Sequence, residues 1–397
     1  MTTFPTSRAP RSSGAARRRI RSRVLVAFAA AGFVALLALV AGLGLGADGD
    51  HGLRVRFAPN PPPAAPAADL AWWEPVHGEP LGVAVDGDDV AVDALDEVRL
   101  VDGATGRTRW KATVPGVRRY RPAVGGDRVA ATSETELVVL DRADGARIAA
   151  VPYAGPGPAA ILPAAGPGGV VIAGSEAGQV VAVDARDGAV LWSVTYPGMV
   201  TVAPRGDATT VVASWHEGPG ATLRAFDPTT GALRWEAPLG LVAGPPVLSG
   251  DAVIVADGEG IHSAFVRSLD LATGRPRWQV PLPGWWEDEI EAAVDPSAVY
   301  LLDGMGTVVA LDPATGTVRW RQETGRPLVD ARLTLTPGAV VFASYDDELM
   351  VLDRADGHLR SAEPQPGVVI DVAAISGRLL TALRLASPSR VEARPEP

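Results

Sequence analysis

The chain contains no cysteine. That excludes disulfides, thiolate metal sites, a cysteine nucleophile and a lipid-modified N-terminal cysteine. Lysine occurs once, at Lys111, so positive charge is almost wholly arginine, which we read as coding bias alongside abundant alanine, glycine and proline. Asparagine also occurs once, at Asn60. The five histidines are His51, His77, His216, His262 and His358, and no HxH or HxxxH spacing occurs among them. A paired-histidine metal site is therefore not expected. No glycine-rich phosphate loop, P-loop or nucleophile elbow is present.

Charge is unevenly spread. Residues 1–23 hold seven arginines and no acid, so the rest of the chain carries a formal charge of −17 against −10 overall. An acidic body repels the phosphate backbone, so nucleic acid is not an expected partner. Residues 24–47 (VLVAFAAAGFVALLALVAGLGLGA) are uncharged and almost wholly apolar. About 20 such residues span a bilayer core as a helix. The arginine-rich flank assigns residues 1–23 to a cytoplasmic arm and the remaining chain to the outside of the cell membrane. A cleaved signal peptide is the competing reading, because the run ends in small residues, Gly44 to Ala47. Residues 48–68 include Pro61-Pro62-Pro63 and read as a proline- and alanine-rich spacer before a domain over 69–397.

That domain is repetitive. Seven segments share one pattern: LVDGATGRTRW (100–110), VLDRADGARIA (139–149), AVDARDGAVLW (182–192), AFDPTTGALRW (225–235), SLDLATGRPRW (268–278), ALDPATGTVRW (310–320) and VLDRADGHLRS (351–361). Their aspartates are Asp102, Asp141, Asp184, Asp227, Asp270, Asp312 and Asp353, spaced by 39 to 43 residues. A period of about 40 residues with strand-like content is that of a four-stranded propeller blade. Aspartate at the end of an alternating strand suits a tight turn that its carboxylate caps. Gly106, Gly145, Gly188, Gly231, Gly274, Gly316 and Gly357 stand four residues later, where the turn requires positive φ. Trp110, Trp192, Trp235, Trp278 and Trp320 stand eight residues after their aspartates, placed to bury a large ring against the neighbouring blade. Copies two and seven carry Ala149 and Ser361 there instead.

After the seventh copy, 368–394 holds three further strand-like runs (Val368–Ile375, Arg378–Leu385, Arg390–Arg394) and lacks a fourth. The stretch LAWWEPVHGEP (70–80) aligns with LRWEAPLGLVAGPP (233–246), setting Trp72 in register with Trp235. The expected fold is all-β: an eight-bladed propeller closed by its N- and C-terminal strands and preceded by one transmembrane helix. Seven blades with a C-terminal tail is the alternative. Closure removes exposed sheet edges.

The pattern AxDxxTGxxxW, strongest at 182–192, 225–235 and 310–320, resembles the tryptophan-docking repeat of the pyrroloquinoline quinone (PQQ) propeller superfamily, over nearly all of 69–394. The resemblance implies eight blades with inter-blade tryptophan docking. It also implies one of two roles. One wing holds quinoprotein dehydrogenases that use PQQ and calcium; the other holds non-catalytic propellers, including the BamB-type outer-membrane assembly scaffold. Minimal blades, no cysteine pair, no asparagine in the ring and no recognisable Glu/Asn/Asp calcium set place this chain nearer the second wing. The expected function is a membrane-anchored binding module for a protein or envelope component, without a cofactor. A PQQ-dependent oxidoreductase and a sensor domain signalling through another protein are the alternatives.

Trp285, Trp286, Glu287, Asp288 and Glu289, with Glu291 just beyond, interrupt the repeat between the fifth and sixth blades and form the candidate binding patch. Paired rings beside acids can instead pack over the blade with the carboxylates solvated. Trp215-His216-Glu217 and Asp257–His262 read as loop residues, and Asp86-Gly87-Asp88-Asp89 as a hairpin turn without a calcium-loop pattern.

Overall fold

In the computed structural model, the described residues are 70–76, 80–116, 120–155, 157–162, 169–200, 205–207, 209–218, 220–258, 263–283, 290–328, 333–385 and 388–396. They lie within the compact unit formed by residues 60–397. The expected cytoplasmic arm (1–23), the apolar run 24–47 and the expected spacer (48–68) lie outside the described residues. No helix occurs among the described residues, and none of them forms a helix long and apolar enough to cross a membrane.

Eight antiparallel sheets follow one another along the chain. Blades 1 to 7 occupy residues 80–113, 123–152, 159–195, 205–239, 242–283, 291–323 and 334–364. Blade 8 is made by Val368–Ile375, Arg378–Arg384 and Ser389–Pro395, and its outermost strand is the N-terminal Trp72–Val76. Trp72 pairs with Ala393 and Val76 with Ser389, so both ends of the domain close one sheet and the ring has eight blades. The terminal runs read from sequence match these strands to within a few residues. In blade 5 the innermost strand is split into Val242–Ala243 and Val247–Ser249. Pro245 and Pro246 lie between the two pieces and have no N–H to give to the ladder.

The second and third strands of each blade bury side chains on both faces. Val340 and Phe342 pack toward blade 6, whereas Ala339 and Val341 pack toward blade 8. This period-two alternation, with both faces covered, gives near-continuous apolar runs such as VVAVD and yields an apolar core at every junction. The eight junctions thus carry nine apolar clusters, two of them between blades 4 and 5, and the junction with the smallest core lies between blades 7 and 8.

Turns define two faces of the ring. The lower face carries the turns between first and second strands together with the Asp-x-x-x-Gly turns. The upper face carries the turns between second and third strands and the connections from blade to blade.

Candidate functional site

The repeat residues are the first to be placed. In every copy the glycine N–H donates to the aspartate carbonyl four residues back, as in Gly106 to Asp102 at 2.7 Å and Gly316 to Asp312 at 2.8 Å. The aspartate carboxylate accepts from backbone N–H groups inside the turn, as in Thr105 N to Asp102 at 2.9 Å. All seven glycines have φ between 67° and 78°, the left-handed region where a side chain is strained. A β-bulge just before each aspartate then sets the tryptophan opposite the residue two before it, as in Ala182 opposite Trp192.

Each ring docks on the next blade. The indole N–H of Trp72, Trp110, Trp192, Trp235, Trp278 and Trp320 donates to the carbonyl of the residue after the next aspartate, at 2.8–3.2 Å. The acceptors are Gly103, Arg142, Pro228, Leu271, Pro313 and Arg354. The ring also covers the next turn's glycine: a Cβ on Gly145 would lie 2.5 Å from Trp110, and one on Gly231 would lie 2.6 Å from Trp192. Trp72 supplies the dock from blade 8 to blade 1, so six of the eight junctions carry a ring. At the blade 2–3 junction Ala149 has moved into the space, since a Cβ on Gly188 would sit 1.9 Å from its own Cβ. The blade 7–8 junction has Ser361, whose hydroxyl donates to Glu363 at 2.9 Å.

Two further arginine patterns complete the turns. The arginine seven residues after the aspartate bonds its carboxylate in five copies: Arg109, Arg234, Arg277, Arg319 and Arg360, at 2.6–3.0 Å. These bonds and turn donors hold the carboxyls down. Asp102 falls to about 2 through the Thr105 hydroxyl and Arg109, and Asp184 to about 2 through Arg186. Asp270 and Asp312 fall to about 2 through Arg277 and Arg319, and Asp227 and Asp353 are also lowered. In copies two and seven, the ones lacking the ring, the residue after the aspartate is an arginine that reaches back to the preceding blade. Arg142 bonds Asp86 at 2.5 Å and Asp89 at 2.7 Å, and Arg354 pairs with Asp295 and bonds the Tyr300 hydroxyl at 3.1 Å. The DR dipeptide of those two copies was the legible signal. All these groups fold the ring, and none converges on a ligand.

Among the described residues, a charged cluster joins blades 1 and 8 in the central channel. Arg121 crosses Gly82 of blade 1 to reach Asp371 of blade 8, donating through Nε at 2.7 Å and also through Nη2. Asp371 also accepts from Val83 N at 2.9 Å. The ladder registers put Glu291 at the same level, and its charge, after that of Asp371, favours the arginine cation. Elsewhere, Asp93 is fully buried on the central part of blade 1 and neither carboxylate oxygen has a partner among the described residues. Desolvation pushes its pKa well up.

Trp215, His216, Glu217 and Asp257, read from sequence as loop residues, are in strands Val211–Glu217 and Ala252–Gly258; Trp215 is buried in the blade 3–4 core, its N–H donating to Gly178 O at 2.8 Å. Arg224 lies 4.1 Å from the centre of the Tyr196 ring and bonds Glu217 at 2.5 Å. His216 is lowered by burial. Asp257 is buried and pairs with Arg267 at 2.8 Å. Asp86 to Asp89 form the expected hairpin turn. Trp285, Trp286, Glu287, Asp288 and Glu289 lie outside the described residues. The strands flanking them, Pro276–Pro283 and Glu291–Val294, end and begin at the upper face.

Exposed large apolar side chains fall into two groups, one on the outer rim and one in upper-face turns. Trp73, Val190, Leu233 and Val318 are on the outermost strands, within two residues of their lower-face ends. The other five, Leu95, Met199, Leu241, Met305 and Tyr345, are all in upper-face turns or connections and are 46–64% exposed. None of the large apolar side chains exposed among the described residues is in a lower-face turn. Two lower-face grooves exist, one of about 540 Å³ beside Arg277 and Asp295 and one of about 350 Å³ beside Arg319, Arg354 and Arg360. Their arginines are already engaged by Asp251, Asp270, Asp312, Asp295 and Asp353.

With eight blades and the inter-blade docks established, comparison with known proteins is decisive. The chain matches the family described as outer membrane protein assembly factor BamB over residues 64–148, 133–284 and 262–366. It belongs to that PQQ-like propeller family. Among solved structures it is similar to BamB from Moraxella catarrhalis, with a TM-score of 0.63 and 22% identity, covering 82% of this chain and 98% of that one. The computationally designed Ika8 protein matches with a TM-score of 0.64 and 15% identity over 81% and 98% of the two chains. At these identities both show the fold alone. Among curated proteins the chain is 31% identical over 283 residues to the serine/threonine-protein kinase AfsK of Streptomyces coelicolor, covering 67% of this chain. It is 31% identical over 187 residues to AfsK of Streptomyces griseus, covering 43% of this chain. The chain spans about a third of the first kinase's length and 21% of the second's.

Proposed function

We propose that the protein is a non-catalytic propeller that holds a protein partner, tethered by residues 24–47 with the ring outside the cytoplasm. The observation that carries this reading is the set of exposed apolar side chains in the upper-face turns and connections, on a ring whose repeat residues are all used internally. Membership in a family described as an outer membrane protein assembly factor favours a scaffold. The apolar run and its arginine flank support the tether.

The residues present do not fit a calcium–quinone centre. The single asparagine, Asn60, precedes the ring, and no group of three or more histidine, aspartate or glutamate side chains suited to a metal ion occurs among the described residues. In the channel, Arg121 is committed to Asp371. The identity to a stretch of two kinases favours a second reading, a sensory propeller whose signal passes through a separate kinase.

The test is photo-cross-linking from both faces and the rim of the full chain in cells that carry it, followed by reconstitution of the purified pair. Saturable binding of the purified partner is expected. Absence of any protein adduct from all positions would reject the scaffold reading.

A further inference from the structure

The upper face differs from the lower one in a way that the repeat does not require. Over blades 4 to 7 it presents Met199, Leu241, Met305 and Tyr345, roughly one large apolar side chain per blade. Their backbones are fixed. Met199 and His216 exchange hydrogen bonds at 2.9 and 3.1 Å, and Leu241 N donates to Gly258 O at 2.6 Å. The segment 324–328 is laced between the turns that carry Met305 and Tyr345. Leu328 N donates to Gly304 O at 3.0 Å, and Tyr345 N donates to Pro327 O at 2.8 Å. These side chains therefore stand out from rigid supports, which lowers the entropy lost when they are covered.

The charge around them is mostly acidic, with four carboxylates against Arg326 and Arg224, the latter paired with Glu217 at 2.5 Å. Glu217, Asp346, Asp347 and Glu348 border the same turns. Arg326, the basic side chain in the described turns and connections of this arc, is already 3.2 Å from Glu348 and 3.7 Å from Asp346. The lower face mixes both signs, with each groove arginine paired. An apolar track edged by carboxylates complements a segment with one apolar side and basic flanks, and it repels an anionic lipid surface.

We propose that the upper face over blades 4 to 7 docks an amphipathic, basic segment of a protein partner, with Met305 and Tyr345, whose turns are laced together by 324–328, as its main anchors. This rests on the protein-binding reading and adds the face and the chemistry of the partner. A helical segment would offer apolar residues three and four apart to successive blade turns, with lysine or arginine toward Asp346 and Glu348.

The test uses the full chain with two peptides of about 14 residues, one leucine and lysine in an amphipathic helical pattern, the other with glutamate replacing lysine. The lysine peptide should bind and weaken with salt, and the glutamate peptide should not bind. Met305→Ser with Tyr345→Ser should weaken the lysine peptide at least about tenfold, since a few anchor side chains dominate such interfaces. Ala314→Ser with Ala355→Ser on the lower face should leave it unchanged. Equal binding of the two peptides, or no loss in the Met305/Tyr345 variant, overturns the proposal. So does sedimentation with phosphatidylcholine vesicles that this variant abolishes, which would make the patch a lipid contact. Cross-linkers at Met305 and Tyr345 should capture the cellular partner while those at Ala314 and Ala355 do not. The reverse pattern overturns the proposal and leaves protein binding standing, whereas no adduct from any position removes both.

Discussion

One methyl group at Gly231 tests whether the tryptophan dock holds blade 3 onto blade 4. Gly231 has φ +67°, and a Cβ there would lie 2.6 Å from Trp192 Cγ. Gly231→Ala therefore meets two costs, about 1–2 kcal/mol for a side chain in the left-handed region and about 1–3 kcal/mol for overpacking against the ring. Trp192→Ala removes a 7% exposed ring that stacks on Phe226 at 5.8 Å and bonds Pro228 O at 2.8 Å. It should cost about 3–5 kcal/mol. In the double variant the methyl no longer meets the ring atoms, and what remains is the backbone cost and a 2.9 Å contact with the Cβ of residue 192. The two changes should then be less destabilising together than their sum by about 1–3 kcal/mol, a coupling well above the ~0.5 kcal/mol scatter of independent sites. Urea unfolding of the full chain followed by far-ultraviolet circular dichroism measures all four corners of the cycle. Strict additivity would refute the reasoning, because it would mean that Gly231 is required by its φ alone and the ring is a bystander.

Other outcomes follow from the same geometry. Asp93 has its folded pKa raised by desolvation, so it adds stability below its ordinary value of 3.8 and loses it as pH rises through the folded value. Asp93→Asn, which keeps the shape of the protonated acid, should stabilise the ring by about 1–3 kcal/mol at pH 7. That gain should fade below pH 3.8, and urea midpoints at several pH values would show it. The motif aspartates have the opposite sign. Asp102, Asp184, Asp270 and Asp312 are lowered from 3.8 to about 2, so their stabilisation is complete above 3.8 and is lost as pH falls through about 2. Arg277→Gln should move the Asp270 titration back toward 3.8, read by carboxyl carbon NMR. Gly82→Val would place a Cβ 2.9 Å from Arg121 Cγ and strand the buried Asp371 carboxylate. It should cost about 3 kcal/mol in a urea titration, and Gly125→Ala, where a Cβ finds 3.4 Å, should be mild by comparison. The blade 7–8 junction has the smallest core and no ring, so amides of its central strands should exchange fastest among the eight junctions.

The sequence carried the ring well because each blade repeats one local device. Asp, Gly and Trp at fixed offsets encode a turn, a flat surface and a ring to cover it. Aligning Trp72 with Trp235 located the closing strand before any pairing was known. The arginine at +7 was equally visible in five copies, as was the DR dipeptide of copies two and seven, yet both pass for surface charge until their partners are placed. Arg121 and Asp371 are 250 residues apart, and no local pattern joins them. Asp93 lies in DVAVDA, where alternation could as easily read it as the solvent face of a strand; both sides of that strand are covered. The upper-face track was hidden for another reason. Leu95, Met305 and Tyr345 occupy turns, where single apolar residues carry no periodicity, and only the common direction of all eight blades gathers them.

The functional account rests on a ring that binds a partner and carries out no chemistry. Titrating the purified full chain with PQQ and calcium, in the presence of an alcohol or a sugar and an electron-accepting dye, tests this most directly. The account predicts unchanged quinone absorbance and no dye reduction at any calcium concentration. Saturable quinone binding with substrate-dependent dye reduction would contradict it and make the chain an oxidoreductase.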